Sequence, residues 1–245
     1  INSTPNPVPV VYMDTLKANG CVNVQAINVT VNPKPVLTTP TSIAAICDSS
    51  SILYVPESAT TGTTFFWSRP AITGIANAAA NGADTIRETL YNNVAYPVLV
   101  TYYDTLKANG CVNVQAITVS VNPTPKLSSA IVAPSICDST VFNYTPLSNT
   151  LGTTFNWVRP FVLGIGSPAG SGGGNPNEFM VNNTNDNLVV SYVYTLAANG
   201  CTHVQIVTDT VHPLPTLSSA LTGKVCSGDN FHYQPMGYVF GTTYT

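Results

Sequence analysis

Charged residues are scarce in this sequence of 245 residues. Only 8% are Asp, Glu, Lys or Arg, with 8 Lys and Arg against 11 Asp and Glu, and the formal net charge is −3. Binding to nucleic acid requires clustered positive charge, so we expect no nucleic-acid partner. No apolar run approaches the ~18 residues of a membrane-spanning helix, so we expect no membrane insertion.

Side chains that commonly carry catalysis are also few. The only histidines are His203, His212 and His232. A catalytic triad needs a histidine, a nucleophile and a carboxylate at one site, and residues 34–123 contain no histidine at all. Cys201 and His203 resemble half of a zinc site, but no second pair follows at ligand spacing. We therefore expect no enzyme activity, no metal and no cofactor.

The sequence instead contains a long internal repeat. The stretch Asp104–Ile117, DTLKANGCVNVQAI, has a copy beginning at Asp14 and a more distant copy beginning at Thr195. Cys21, Cys111 and Cys201 therefore follow one another at intervals of 90 residues. A fixed period of this kind indicates a repeat protein.

Other motifs extend the period along the whole chain. Cys-Asp-Ser at Cys47 recurs at Cys137 and as Cys-Ser-Gly at Cys226, and Trp-x-Arg-Pro occurs at Trp67 and Trp157. We expect the chain to be a window of a longer array or of a polymer. The predicted segments are the C-terminal part of a repeat (1–33), two complete repeats (34–123 and 124–213) and the N-terminal part of a further repeat (214–245).

Thr, Ser, Asn, Val, Gly and Pro dominate, which is typical of short β-strands and turns. In the first complete repeat we predict strands at 34–45, 51–55, 63–68, 88–93 and 98–103, and a last strand that ends before Pro123. Asn109-Gly110 predicts a hairpin. Trp67 on the third strand occupies the place of the core tryptophan in immunoglobulin-like sandwiches. The predicted fold is all-β, with tandem immunoglobulin-like sandwiches stacked end to end.

Alternation within the later strands predicts the core. Val98, Val100 and Tyr102 have apolar or aromatic counterparts in the other copies, so we expect this face and its equivalents to be buried. The counterparts are Val8, Val10 and Tyr12, and Leu188, Val190 and Tyr192. The last strand departs from the pattern in the second complete repeat, where Asp209 replaces Val119. Either a shifted register or a more open strand end would explain that replacement.

The segments 69–83 and 164–177 differ most between repeats, and we interpret both as loops. Loops carry function more often than strands do, although a solvated connection without a ligand is the interpretation that we prefer. The candidate contact residues are Thr73, Asn77, Asn81, Gly164, Ser171, Gly173 and Asn175.

The combination of Gly-Thr-Thr-Phe-x-Trp, Tyr-x-x-Thr-Leu-x-Ala-Asn-Gly-Cys and Val-Asn-Pro-x-Pro resembles a known family. These motifs are similar to the PKD-like, immunoglobulin-related repeats of giant surface proteins of gliding and related Bacteroidota, including SprB-type gliding adhesins. The resemblance covers essentially the whole chain. It implies an extracellular, filament-like adhesin exported by the type IX route.

A shorter resemblance concerns glycosylation. Asp-Thr-apolar tripeptides are similar to the acceptor for O-linked glycans in Bacteroidota, and chance is the alternative explanation for any one match. The candidate acceptors are Thr15, Thr85, Thr105 and Thr210.

The six cysteines occur in two repeating contexts, which predicts disulfides and an oxidising, extracellular setting. They are Cys21, Cys47, Cys111, Cys137, Cys201 and Cys226. One hypothesis pairs cysteines within a repeat, Cys47–Cys111 and Cys137–Cys201. The other pairs Cys47 with Cys201, because the turn and hairpin cysteines of one repeat should lie at opposite ends of its sandwich. A disulfide tolerates at most about 7 Å between Cα atoms.

Two functions remain compatible with these features. The first is a structural stalk or filament whose partners are neighbouring repeats of the same chain or filament. The second is a module that binds carbohydrate, such as a surface polysaccharide, through the Gly-rich segments. Near-identity between the repeats favours the stalk, because a specific site would be unique to one repeat. In both cases we expect the protein to be extracellular or at the cell surface.

Overall fold

The computed structural model describes residues 1–245, and its regular structure consists entirely of β-strands. The strands are β1 Val8–Ala18, β2 Cys21–Val31, β3 Ile46–Cys47, β4 Ser50–Tyr54, β5 Thr64–Arg69, β6 Ala80–Ala83, β7 Ile86–Leu90, β8 Val98–Ala108, β9 Cys111–Asn122, β10 Ile136–Cys137, β11 Thr140–Asn143, β12 Thr154–Arg159, β13 Gly170–Gly173, β14 Asn177–Met180, β15 Leu188–Ala198 and β16 Cys201–His212. The structure contains no helix with the length and apolar character needed to traverse a bilayer.

The chain forms two compact units, Ile1–Pro123 and Thr124–Thr245. The first unit contains the ribbon β1-β2, a five-stranded sheet in the order β3-β9-β8-β5-β6 and a two-stranded sheet β4-β7. In the second unit the order β10-β16-β15-β12-β13 and the pair β11-β14 repeat this arrangement. The two sheets of each set enclose one hydrophobic core, which makes each a β-sandwich.

The hairpin β8-β9 organises the larger sheet of the first unit. Asn109 and Gly110 adopt φ values of 50° and 75°, as a two-residue hairpin turn requires, and Ala108 lies opposite Cys111. From this turn the two strands pair without interruption back to Val98 and Val121. The predicted Asn-Gly hairpin is confirmed, and it recurs at Asn199.

The predicted core of the two complete repeats is also confirmed, except that Leu188, the counterpart of Val98, is only partly buried. Val98, Val100 and Tyr102 are buried, and Tyr102 meets Trp67 edge to face with ring centroids 5.7 Å apart. Trp157 meets its own partner, Tyr192, in the same way at 5.5 Å. Such aromatic pairs contribute beyond the area that they bury.

The predicted first strand over residues 34–45 is wrong. Only two isolated bridges form there, from Leu37 to Ser58 and from Ser42 to Thr118. Pro35 and Pro40 interrupt the segment, and proline has no N–H to donate to a ladder. The chain joins the sheet only at β3, whose two residues run parallel to the end of β9.

The interpretation of 69–83 and 164–177 as loops is wrong for part of each segment. β6 and β13 are edge strands that pair with the tryptophan-bearing strands β5 and β12. Gly82 and Gly172 lie opposite Trp67 and Trp157, and a Cβ at either glycine would come within 2.9 Å of an indole ring. The glycines therefore make room for the tryptophans in strands, rather than loosening a loop.

The ribbon β1-β2 departs from the expected burial. Tyr12 is 57% exposed and Ile27 is 50% exposed, although the equivalent Tyr102 and Ile117 are fully buried. The prediction of a buried face is wrong for this copy.

Both expectations for Asp209 are wrong as well. The pairing of β15 with β16 continues in register through Val190 and Asp209 to Leu188 and Val211. Asp209 is only 2% exposed, so the strand end is not open. The second complete repeat thus buries a carboxylate where the first buries Val119.

Candidate functional site: a buried ion pair and two cysteine positions

A three-residue network lies inside each complete repeat, and we call it the Arg–Glu–Tyr clasp. In the first repeat, Arg69 ends β5 and donates from Nε and Nη2 to the two carboxylate oxygens of Glu88, each at 2.8 Å. The hydroxyl of Tyr102 donates to the same carboxylate at 2.6 Å. Arg69 is 1% exposed, so this ion pair is buried on its cationic side.

The second repeat contains the same clasp. Arg159 donates to Glu178 at 2.7 and 3.1 Å, and Tyr192 donates to it at 2.9 Å. In both repeats the arginine and the glutamate are separated by 19 residues. The sequence motifs did not predict this ion pair. The constant separation of the arginine and the glutamate is the sequence feature that could have indicated it.

Both arginines also donate hydrogen bonds to backbone carbonyls in the segments that follow β5 and β12. Arg69 donates to the carbonyls of Pro70 at 3.0 Å and Ala78 at 2.6 Å. Arg159 donates to the carbonyl of Pro168. A buried guanidinium is costly unless its donors find acceptors, and these carbonyls supply acceptors that the glutamate does not. The match is complete for Arg69, whereas Nη1 of Arg159 is buried without a partner.

The protonation states of Glu88 and Tyr102 in the clasp are those of a structural element. Burial by itself would raise the pKa of Glu88, but the hydrogen bonds from Arg69 and Tyr102 outweigh it, and the net pKa is lowered. Burial, followed by the Glu88 carboxylate, raises the pKa of Tyr102. The carboxylate therefore stays ionised and the phenol stays protonated near neutral pH. Neither group is poised to exchange a proton with a substrate.

A second repeated network anchors the cysteine turn. The Asp48 carboxylate accepts a hydrogen bond from the backbone N–H of Asn92 at 2.8 Å. The Asn92 side chain in turn donates to the carbonyl of Val121 at 2.7 Å. Asp138, Asn182 and Val211 repeat these contacts at 2.7 and 2.9 Å. The turn that carries Cys47 or Cys137 is thus fixed to the end of the last strand.

The turn cysteine lies at the outgoing end of its repeat, where the chain leaves. Cys47 pairs in parallel register with Asn122, the last residue of β9. The next residue, Asp48, donates its N–H to the Asn122 carbonyl at 2.7 Å. Cys137 holds the same position beside His212. The predicted outgoing position of these cysteines is confirmed.

The hairpin cysteine lies at the opposite, incoming end. Asn109, two residues before Cys111, accepts through its carbonyl a bond from the side chain of Asn32 at 2.7 Å. Asn113, two residues after it, donates to the carbonyl of Pro35 at 2.8 Å. Both contacts connect the hairpin to the incoming linker, so this placement is also confirmed.

Two of the six cysteines are oxidised. Cys47 and Cys201 are disulfide-bonded, whereas Cys21, Cys111, Cys137 and Cys226 have free thiols. The hypothesis of within-repeat pairs is therefore wrong, because the two ends of a sandwich are too far apart for a disulfide. The bonded residues are one turn cysteine and one hairpin cysteine, as the alternative hypothesis requires. For the four free thiols, a role in disulfides stays a prediction.

The candidate contact residues do not share one environment. The Asn77 side chain is engaged by the fold, since it donates to the Thr89 carbonyl and accepts from the Tyr91 N–H, each at 2.9 Å. Three others lie in the edge strands β6 and β13, namely Asn81, Ser171 and Gly173. The turns and bends contain Thr73, Gly164 and Asn175.

The candidate glycosylation residues also differ in access. Thr15 is exposed on β1, and Thr85 is half-buried between β6 and β7. Thr105 and Thr210 are half-buried within β8 and β16, and the aspartate before each is buried. Modification at these four positions stays a prediction. No group of three or more His, Cys, Asp or Glu side chains is arranged to hold a metal ion.

No family model matches the sequence, and no curated protein matches it either. Solved structures with a similar fold include the IG1+IG2 portion of DIP-gamma, with 9% identity and a TM-score of 0.36 over 74% of this chain and 98% of that one. The insect immune protein hemolin matches with 10% identity and a TM-score of 0.38 over 83% and 56% of the two chains. An I-band fragment of titin matches with 9% identity and a TM-score of 0.40 over 76% and 68%.

The fold is immunoglobulin-like. Two facing sheets, a core tryptophan on β5 or β12 and a long final hairpin define it in each complete repeat. At these identities the similar structures add nothing about the activity of this chain.

Proposed function

We propose that this chain is a structural segment, a stalk or filament part, of a large extracellular bacterial adhesin. Its repeats would be 34–123 and 124–213, flanked by partial repeats at 1–33 and 214–245. The observation that carries the proposal is that both complete repeats contain the same clasp and the same anchored cysteine turn. Buried networks kept unchanged from repeat to repeat serve a scaffold, because each spacer must fold alike.

The positions of the cysteines support a covalent form of this stalk. If successive repeats stack end to end, a turn cysteine at the outgoing end of one repeat would meet a hairpin cysteine at the incoming end of the next. We therefore propose that the turn cysteine of each repeat bonds to the hairpin cysteine of the following repeat. The partners of a repeat would then be its neighbours in the chain or filament.

Peptide mapping without reduction tests the covalent part. We expect a linked peptide pair that contains Cys47 and Cys201, and the loss of that pair in Cys47→Ser. Recovery of a peptide that joins Cys47 to Cys111 would overturn the proposal. Alkylation before digestion controls for thiol exchange during the preparation.

Small-angle scattering of arrays with two, four and six repeats tests the stalk. Strands of roughly ten residues at ~3.3 Å per residue, together with the end turns, make each sandwich about 35–40 Å long. We expect the maximum dimension to grow by about that length with every added repeat. A maximum dimension that grows only as the cube root of the mass would refute the stalk.

The motif resemblance supports a more specific assignment to the surface adhesins of gliding bacteria, exported by the type IX route. Deleting the gene in its host and measuring gliding and surface attachment tests this assignment separately. A carbohydrate-binding role has less support, because the Gly-rich segments supply edge strands and space for tryptophan. Intact-mass measurement of the secreted protein tests O-glycosylation, and a mass equal to the peptide mass would exclude it.

A further inference from the structure

Each complete repeat buries one carboxylate that makes no hydrogen bond of normal geometry and no ion pair. Asp104 on β8 is 1% exposed and Asp209 on β16 is 2% exposed. Both carboxylate oxygens of each residue are buried, and none makes a hydrogen bond of normal geometry. The clasps do not explain these aspartates, since Arg69 and Arg159 are paired with glutamates.

The two carboxylates occupy different core positions. The equivalent of Asp104 in the second repeat is Tyr194, and the equivalent of Asp209 in the first repeat is Val119. Both Tyr194 and Val119 are uncharged and at most 1% exposed. The fold therefore requires no charge at either position, and one unpartnered carboxylate remains in each core.

The titratable groups around each aspartate do not compensate its charge. The titratable groups that act on Asp104 are Tyr54 on β4 and Asp84 in the turn after β6. Its cross-strand neighbours are Trp67 and Gln115. None of these groups carries a positive charge. An uncompensated buried carboxylate favours its neutral, protonated form.

Asp209 has similar surroundings. The Tyr192 phenol lies near it on β15, and Val190 is its cross-strand neighbour. His212, three residues further along β16, is the titratable base that acts on it. That imidazole is engaged with Asn187 at 2.8 Å and forms no ion pair with Asp209.

We infer that each complete repeat takes up one proton at its buried aspartate when it folds in mildly acidic solution, so that both repeats become more stable as the pH falls towards 5. The proton is the ligand, and the buried, unpartnered carboxylate is its binding site. This inference does not depend on the proposed function. In a stalk it would make the repeats harder to unfold in an acidic environment than at neutral pH.

The direction of the pKa shifts supports this inference. Burial, helped by the charge of Asp84, raises the pKa of Asp104 from 3.8 to about 6, although the Phe66 N–H opposes it. Burial also raises the pKa of Asp209 from 3.8 to about 6, although the Thr210 N–H and His212 oppose it. The folded state therefore binds more protons than the unfolded state between about pH 4 and 6. Stability from this source is complete below about pH 4 and is lost as the pH rises through about 6.

The same pKa values set the expected size of the pH effect on folding. A shift from 3.8 to about 6 makes the folding equilibrium constant of each repeat about 10-fold larger at pH 5 than at pH 8. In the first repeat the window from pH 5 to 8 also avoids the clasp, because the lowered pKa of Glu88 means that its stabilisation is lost only at more acidic pH.

The test is urea unfolding of the whole chain at several pH values from 5 to 8, with Trp67→Phe as the background so that Trp157 reports the second repeat. In this background we expect the unfolding transition of the second repeat, reported by Trp157, to depend on pH. Adding Asp209→Val, which introduces the valine found at position 119 of the first repeat, should almost abolish that dependence. Asp186→Asn is the matched control, because Asp186 is exposed in the same repeat and should leave the dependence unchanged.

An equal pH dependence with and without Asp209→Val would overturn the inference. If that variant fails to fold, carbon-13 NMR of the aspartate carboxyls in the unmodified chain decides the question. Two carboxyls that titrate near pH 6 would support the inference, whereas titration of all aspartates near pH 4 would refute it.

Discussion

Replacing Trp157 with alanine tests the central core contact of the second repeat. Trp157 is 6% exposed, and a side chain of its size buries roughly 150–250 Å². At about 25 cal/mol per Å², that burial stabilises the fold by about 4–6 kcal/mol. Deletions of buried aromatic side chains typically cost about 3–5 kcal/mol.

The environment of Trp157 puts the expected loss in the upper part of that range. The ring packs edge to face on Tyr192, and Gly172 on its other side has no side chain that could move into the cavity. Single domains are stable by only about 5–15 kcal/mol, so the second repeat of Trp157→Ala should be marginal at room temperature.

Hydrogen exchange of the whole chain is the appropriate assay, because it reports the two repeats separately. We expect the protection of β12 and β15 to collapse in Trp157→Ala, while that of β5 and β8 persists. Phe179→Ala is the matched control, since Phe179 is an aromatic residue of the same repeat that is 56% exposed. It should cost less than about 0.5 kcal/mol. Unchanged protection of β12 in Trp157→Ala would mean that the tryptophan does not hold this core together.

Three further substitutions can be measured by urea unfolding. Glu88→Ala should cost about 3–5 kcal/mol, because it leaves Arg69 buried and unpaired, and a wild-type midpoint would contradict this role of the clasp. Gly172→Ala should lower the free energy of unfolding by about 1–3 kcal/mol, because the new methyl would lie 2.9 Å from the indole ring. Gly173→Ala is the control and should be nearly neutral, because the nearest atoms to its new methyl lie at 3.6 Å. Ser139→Gly should stabilise the chain by about 0.5–1 kcal/mol, because Ser139 has φ of 58°, and a loss of stability would refute this account of the turn.

Local signals predicted the hairpins and the core correctly. Asn109-Gly110 encodes its turn through the conformational preferences of two adjacent residues, and alternation along β8 is a property of the strand itself. Burial of Trp67 followed from its size and its recurrence in the repeat. None of these predictions required knowledge of which strand lies beside which.

Predictions failed where a distant partner decides the outcome. Gly170–Gly173 has the composition of a loop, but pairing with β12 makes it a strand. Residues 34–45 have the composition of a strand, but their prolines leave the neighbouring chain without donors. The polar appearance of Asp209 suggested an exposed end, whereas the uninterrupted register of β15 with β16 places its carboxylate in the core.

The sequence by itself determined the period, the all-β class and the residues available for the core, because these depend on composition and on spacing along the chain. Only the tertiary structure decided that Arg69 pairs with Glu88 and that Asp104 and Asp209 are buried. Those outcomes depend on the order of strands within the sheets. Strand order is set by the packing of non-local segments, which no short stretch of sequence encodes.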